Sequence, residues 1–154
     1  MSIQLVVFDI AGTTVTDKGN INDIFRKAFS NAGLPDVDKS DVDDVMGYSK
    51  IEAIEIIVKE YKPGYENNRE FIDDIHKDFS NRMIRFYETW EGLRPLPFAE
   101  EVFAELQKHH IKVALNTGFT RAITTPILNR LGWDKASFIN EIICSDEVEK
   151  GRPF

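Results

Sequence analysis

The chain has 154 residues, 42% of them apolar and 11% aromatic, with 19 Lys plus Arg against 26 Asp plus Glu, for a formal net charge of −7. That composition can bury a core, alone or with a small second lobe, and excludes a disordered chain. The acidic balance without a Lys/Arg cluster argues against nucleic acid, the lone Cys144 excludes an internal disulfide and fits a reducing cytoplasm, and the apolar run Leu5–Phe8 is too short for a signal peptide or a membrane span.

Gln4 to Asp9 is a short apolar run rich in β-branched residues and reads as a strand buried on both faces. Ala11-Gly12-Thr13-Thr14 breaks it. From Ile21 the period becomes helical, with Ile21, Ile24, Phe25, Ala28, Phe29 and Ala32 on one stripe that Gly33 and Pro35 end. The aspartates between Asp36 and Asp44 lack calcium-loop spacing and read as a solvated loop. Ser49 and Glu52 have capping-box spacing, so a helix is predicted from there to about Tyr61. A longer helix follows over about 68–90, with Phe71, Ile75, Phe79, Met83, Phe86 and Trp90 as its stripe, and the aromatic series Phe79, Phe86, Tyr87 and Trp90 as core of the helical block. Phe98 to His109 reads as another helix, Lys112 to Leu115 as a second buried strand, Pro126 to Leu131 as a helix, and Glu141 to Cys144 as a third strand. His109-His110 ends a helix, where imidazolium suits the dipole better than a metal does.

Strands separated by helices imply an α/β fold with a parallel sheet. The long helical stretch exceeds what a crossover needs and reads as an insertion. The expected domains are therefore an α/β core over 1–16 plus 95–154 and a helical cap over 17–94. Ligands of open parallel sheets bind at the carboxyl ends of the strands. Three polar clusters fall there: Asp9 with Thr13 and Thr14, Thr117 with Gly118, and Ser145 with Asp146. A carboxylate at such a turn can serve as nucleophile or Mg²⁺ ligand, and the Gly-Thr-Thr and Thr-Gly turns offer N–H groups and hydroxyls to phosphate oxygens. The alternative is that Asp9 caps a turn and the threonines satisfy loop backbone.

Phe8-Asp-Ile-Ala-Gly-Thr-Thr14 resembles the first motif of the haloacid dehalogenase superfamily, and Ala11 in place of its usual second Asp resembles the phosphonoacetaldehyde hydrolase (phosphonatase) branch. Asn116-Thr-Gly-Phe-Thr-Arg121 is similar to that branch's second motif, Gly151-Arg152-Pro153 to its third, and Met46-Gly-Tyr-Ser-Lys-Ile51 to its Schiff-base lysine segment. The resemblance spans residues 8–153. It implies a Rossmann-like parallel sheet with an inserted all-helical cap, and a hydrolase that cleaves a C–P or P–O bond through an aspartyl-phosphate on Asp9. It implies Mg²⁺ at Asp9 and the Ala11 carbonyl, and a phosphoryl group held by Gly12, Thr13, Thr117 and Gly118. Arg152 would stabilise its charge, and Met46 would lie beside substrate.

Ala11 cannot protonate a leaving group, and the resemblance offers Lys50 in its place, as an imine with a substrate aldehyde that draws electrons from the C–P bond. At the first position of a helix capped by Ser49, the dipole disfavours the charged amine. An ordinary solvated lysine is the alternative. Three positions depart from the branch: Ala53 replaces a histidine, Phe119 replaces a tyrosine and so loses a hydroxyl, and a polar residue near Asn20 replaces a cysteine. The candidate substrate is phosphonoacetaldehyde or another small phosphorylated or phosphonate metabolite, with a homodimer as a candidate assembly and neither nucleic acid nor membrane as partner. Competing readings are a haloacid dehalogenase, which Thr117-Gly118 argues against, and a non-catalytic phosphate-binding protein. The superfamily's fourth, acidic motif does not occur before Phe154. The core is therefore expected to be C-terminally incomplete, as a fragment of a longer chain, with an exposed apolar edge and little or no activity.

Overall fold

The computed structural model describes residues 3–151, so Arg152 and Pro153 of the third motif lie outside the described residues. In chain order the elements are β1 (Leu5–Asp9), α1 (Asn20–Asn31), α2 (Lys39–Asp44), α3 (Lys50–Tyr61), α4 (Arg69–Thr89), α5 (Ala99–Lys108), β2 (Lys112–Asn116), α6 (Arg121–Leu131) and β3 (Glu141–Ile143). Short 3-10 turns cover Trp133–Lys135 and Ser145–Glu147. Two compact units result, one of residues 3–18 with Tyr87–Glu149, the other of Gly19–Phe86 with Lys150 and Gly151.

The first unit is α/β. Its sheet has the order β1-β2-β3 with both pairings parallel, and the register sets Val6 beside Val113, Phe8 beside Leu115, Asp9 beside Asn116, and Asn116 beside Ile143. Strands laid down in one direction, joined by right-handed connections, bring α5 and α6 to the same face. On that face the fully buried Phe103 of α5 meets Phe8 edge-on at 5.2 Å and Trp133 at 5.5 Å. The other face is open: Leu5 is 49% exposed, Val7 50% and Ile143 40%. The expectation of a first strand buried on both faces is thus corrected. Among the described residues β1 pairs with β2 alone.

The second unit is helical. Phe25 packs against Phe29 at 4.9 Å and against Phe79 at 4.6 Å, and Ile54, Ile57, Ile72, Ile75 and Met83 fill the space around these rings. The aspartate-rich stretch is not a plain loop. Its second half forms α2, which buries Val42 and is flanked by the buried Val37 and Val45. Asn22 donates to the Lys39 carbonyl and to Asp43, and the Tyr61 hydroxyl donates to Asp41 while accepting from the Asp38 N–H.

Residues 87–94, expected in the helical block, group with the sheet. Arg130 Nη1 donates to the carbonyls of Tyr87 (2.8 Å) and Trp90 (2.9 Å), and the Thr16 hydroxyl donates to the Gly92 carbonyl (2.9 Å). Lys150 and Gly151, expected with the sheet, group with the helices, where Gly151 comes close to Ser49. Among the described residues no helix is long and apolar enough to cross a membrane.

Candidate functional site

Asp9 is the last residue of β1, and the chain behind it coils around one carbonyl. The Ile10 oxygen accepts from the N–H groups of Thr14 (3.0 Å) and Val15 (2.9 Å), while the Gly12 N–H reaches back to the Val15 carbonyl (2.8 Å). Gly12 sits at φ +77°, a conformation that favours glycine. Gly12 and Thr13 are exposed at the tip, whereas Thr14 is buried and its hydroxyl donates to the carbonyls of Asp9 (2.9 Å) and Ile10 (3.2 Å). Of the two threonines, Thr14 therefore serves the loop, and Thr13 stands at the surface with Gly12.

The next strand ends alongside. Asn116 is paired with Asp9, and the buried Thr117 follows it. The Thr117 N–H donates to the Ile143 carbonyl (3.2 Å), and its Oγ1 accepts from the Phe119 N–H (3.1 Å). A hydroxyl that accepts keeps its own proton to donate. No acceptor among the described residues takes the Gly118 N–H. Asp9, the Gly12-Thr13 tip and the Thr117-Gly118 turn thus occupy the carboxyl ends of two adjacent parallel strands, where such sheets bind ligands.

The third cluster has a different task. Asp146 accepts from the Arg121 N–H (2.9 Å) and so caps α6, and the Ser145 N–H is held by the Phe119 carbonyl (2.9 Å). Arg121 grips Glu147 through Nε (2.8 Å) and Nη2 (2.6 Å) and also reaches the Ile142 carbonyl (2.7 Å). Glu147 accepts as well from the Cys144 N–H (2.8 Å). Arg121 and then that N–H hold the Glu147 carboxyl below its ordinary value, and burial pushes the Cys144 thiol up.

Lys50 and Met46 belong to the helical unit and meet there. Lys50 is the first residue of α3, behind Ser49, whose Oγ donates to Glu52 Oε2 (2.6 Å) and accepts from the Glu52 N–H (3.4 Å). The lysine is not a solvated one: it is 4% exposed, its Nζ donates to the Met46 carbonyl (3.1 Å), and it stands 5.8 Å from the centre of the Phe25 ring.

Two residues near Asp9 were not singled out from the sequence as part of a site. Asp17 lies next to Gly12, with its Cβ 4.0 Å from where a side chain at Gly12 would begin. Tyr87, 1% exposed, packs edge-on against Phe119 with ring centres 6.0 Å apart. Burial, then the charges of Asp17 and Asp9, push its phenol far above the ordinary tyrosine value. Helical spacing assigned Tyr87 to the core of the helical block, and only the tertiary fold shows otherwise. No group of three or more His, Cys, Asp or Glu side chains suited to a metal occurs among the described residues.

The family described as haloacid dehalogenase-like hydrolase matches residues 6–154. The chain is 30% identical to the bifunctional riboflavin kinase/FMN phosphatase of Arabidopsis thaliana, covering 96% of this chain and 36% of that protein. It is 26% identical to the phosphonoacetaldehyde hydrolase of Bacillus cereus strain B4264, covering 100% of this chain and 60% of that one. Among solved structures, a phosphonoacetaldehyde hydrolase-like protein from Oleispira antarctica superposes with a TM-score of 0.81 at 24% identity, over 99% of this chain and 57% of its own. The chain therefore spans less than two thirds of the length of each of these relatives.

Proposed function

The chain belongs to the haloacid dehalogenase-like hydrolases, and on that premise we propose that it is a phosphonatase-like hydrolase of a small phosphonate or phosphorylated metabolite. The observation that carries the reading is the pairing of Asp9 with Asn116, which sets a candidate nucleophile beside the Thr117-Gly118 turn. In this reading the sheet unit is the catalytic core and the helical unit the cap. The Asp9 carboxylate attacks phosphorus, the C–P or P–O bond breaks, and water then cleaves the aspartyl-phosphate to release phosphate and restore Asp9. The Thr117 hydroxyl, the Gly118 N–H and the exposed Gly12-Thr13 tip receive the phosphoryl oxygens, and Arg152 is assigned the balancing positive charge.

The donors fit Mg²⁺ in kind, since the Asp9 carboxylate and the Ala11 carbonyl are hard oxygens and this ion completes its shell with water and substrate phosphate. When bound, Mg²⁺ offsets the repulsion between a carboxylate and an anionic phosphoryl group. Ala11 supplies no acid, so the leaving group needs another route. Lys50 is proposed for it: its amine condenses with a substrate aldehyde, water leaves, and the imine accepts the electron pair of the breaking C–P bond as an enamine, which then takes a proton and is hydrolysed to release the aldehyde and free Lys50. Burial of Lys50 supports this role, because an imine-forming amine has to be shielded from water. A cytoplasmic location and a homodimer complete the proposal.

The test is phosphate release from phosphonoacetaldehyde and from p-nitrophenyl phosphate by the full native chain with Mg²⁺ present. Asp9→Asn is expected to lower both by about a thousandfold or more. Borohydride in the presence of the aldehyde is expected to trap an adduct on Lys50. Release without an adduct removes the imine and keeps Asp9, whereas ligand binding without any turnover favours a phosphate-binding protein.

A further inference from the structure

The turn between β2 and α6 carries Thr117 and Gly118, and three hydrogen bonds tie it to the stretch around the end of β3. The Thr117 N–H donates to the Ile143 carbonyl (3.2 Å), the Phe119 carbonyl accepts from the Ser145 N–H (2.9 Å), and the Arg121 N–H donates to Asp146 (2.9 Å). Thr120, at the cap position of α6, makes no side-chain capping bond, so Asp146 does that work from outside. The stretch that supplies these partners has little regular structure to hold it. β3 is three residues long, pairs with β2 alone among the described residues, and is followed one residue later by a three-residue 3-10 turn. The Arg121 side chain closes it. Nε and Nη2 take the two oxygens of Glu147 at 2.8 and 2.6 Å, Nη2 also reaches the Ile142 carbonyl at 2.7 Å, and Glu147 accepts in addition from the Cys144 N–H at 2.8 Å.

We propose that Arg121 and Glu147 are positioning residues, whose clamp holds the Thr117-Gly118 turn in the place where it receives a phosphoryl group. The proposal rests on the hydrolase reading and names what fixes that site's donors from behind. Arg121 closes a circuit, because its N–H is held by the same stretch that its guanidinium holds. Loss of the fork frees residues 142–147, and with them the partners of Thr117, Phe119 and Arg121. Donors displaced by a fraction of an ångström lose much of their effect on developing charge, since hydrogen bonding falls steeply with geometry. The pair carries no net charge of its own, so its effect on an anionic ligand runs through geometry rather than through attraction. A lysine at 121 keeps the charge and lacks the planar fork that takes two carboxylate oxygens side by side.

The experiment uses the full native chain with Mg²⁺, well below every melting temperature, and compares wild type with Arg121→Ala, Glu147→Ala, the double variant, Arg121→Lys and Asp9→Asn. It reads orthovanadate affinity by calorimetry, kcat/KM for p-nitrophenyl phosphate, and the melting temperature. Each single alanine variant is expected to weaken vanadate binding and lower kcat/KM by a common factor of about 10 to 100, as for donors moved out of place. The double variant is expected to lose little more than either single one, because the two residues act as a unit. Losses that multiply in the double variant overturn the clamp and give Arg121 a contact of its own, and full activity in Arg121→Lys overturns the fork in favour of charge. Lower melting temperatures with unchanged vanadate affinity and kcat/KM also overturn the positioning role, leaving an ion pair that serves stability. A wild-type chain that neither binds vanadate nor turns over overturns the hydrolase reading and this role with it. Wild-type turnover that Asp9→Asn abolishes, beside indifferent Arg121 and Glu147 variants, overturns this role alone. Should the alanine variants fail to fold, the milder Glu147→Gln decides: several-fold weaker vanadate binding supports the clamp, and unchanged binding overturns it.

Discussion

Thr14 and Thr117 are both buried threonines at strand ends, and their bonding assigns them different work. Thr14 uses its proton on the backbone of Asp9 and Ile10, whereas the Thr117 hydroxyl accepts from Phe119. Thr14→Val has nearly the same shape and removes the hydroxyl donor shared by the Asp9 and Ile10 carbonyls. It is expected to cost about 1–2 kcal/mol in chemical denaturation with substrate KM unchanged; a raised KM at full stability would instead make Thr14 a ligand contact. Glu147 gives a pH-dependent counterpart. Its folded pKa lies below its unfolded value because Arg121 and the Cys144 N–H favour the carboxylate. The stabilisation is therefore complete above the unfolded value of about 4.3 and is lost as pH falls through the folded one. Glu147→Gln should melt about 2–4 °C below wild type at pH 7, as for a partly exposed ion pair in a chain of this size. The gap should close below about pH 4, and a gap that persists in acid would assign it to packing.

Local signals carry α3 and fail α2. The Ser49–Glu52 spacing predicts a helix from there to about Tyr61, and α3 runs from Lys50 to Tyr61 with Ser49 Oγ capping the Glu52 N–H and bonded to the Glu52 carboxylate. Ser49→Ala should cost about 1 kcal/mol and raise amide exchange in the first turn of α3, the turn that begins with Lys50. In α2, a six-residue segment with three aspartates has little propensity of its own, and it is the burial of Val42 against the other helices that makes it a helix. The start of α6 was hidden for a related reason. Pro126 suggests a first turn, but α6 begins at Arg121 because Asp146, distant in sequence, caps it. The same division holds at the candidate site. The strand-end positions of Asp9, Thr117 and Gly118 and the helix-start position of Lys50 are legible because each sits in a short contiguous motif. Tyr87 is not, since Phe86, Tyr87 and Trp90 share one helical series and only the docking of α6 on the end of α4 selects the residue that meets Phe119.

Across the sheet unit as a whole, apolar surface is distributed unevenly. One face is closed by Phe103 and Trp133, while Leu5, Val7 and Ile143 remain open on the other. An apolar strand at a sheet edge templates association. Leu5→Lys should reduce light scattering at high concentration with a melting temperature close to wild type; a large loss of stability would show that this face is covered in solution. The register of the sheet also has a consequence in time. Leu5 is paired with Lys112, so β1 meets β2, its partner among the described strands, only once the chain has grown past Asn116. At the usual rate of synthesis that interval is roughly 5–20 s. Four of the five helices between them, α1 to α4, pack over shorter sequence separations than the strands do, and such contacts form far faster than this. The nascent chain therefore carries a folded helical unit and an apolar β1 still awaiting β2 for seconds, and that strand is where a ribosome-associated chaperone would act first.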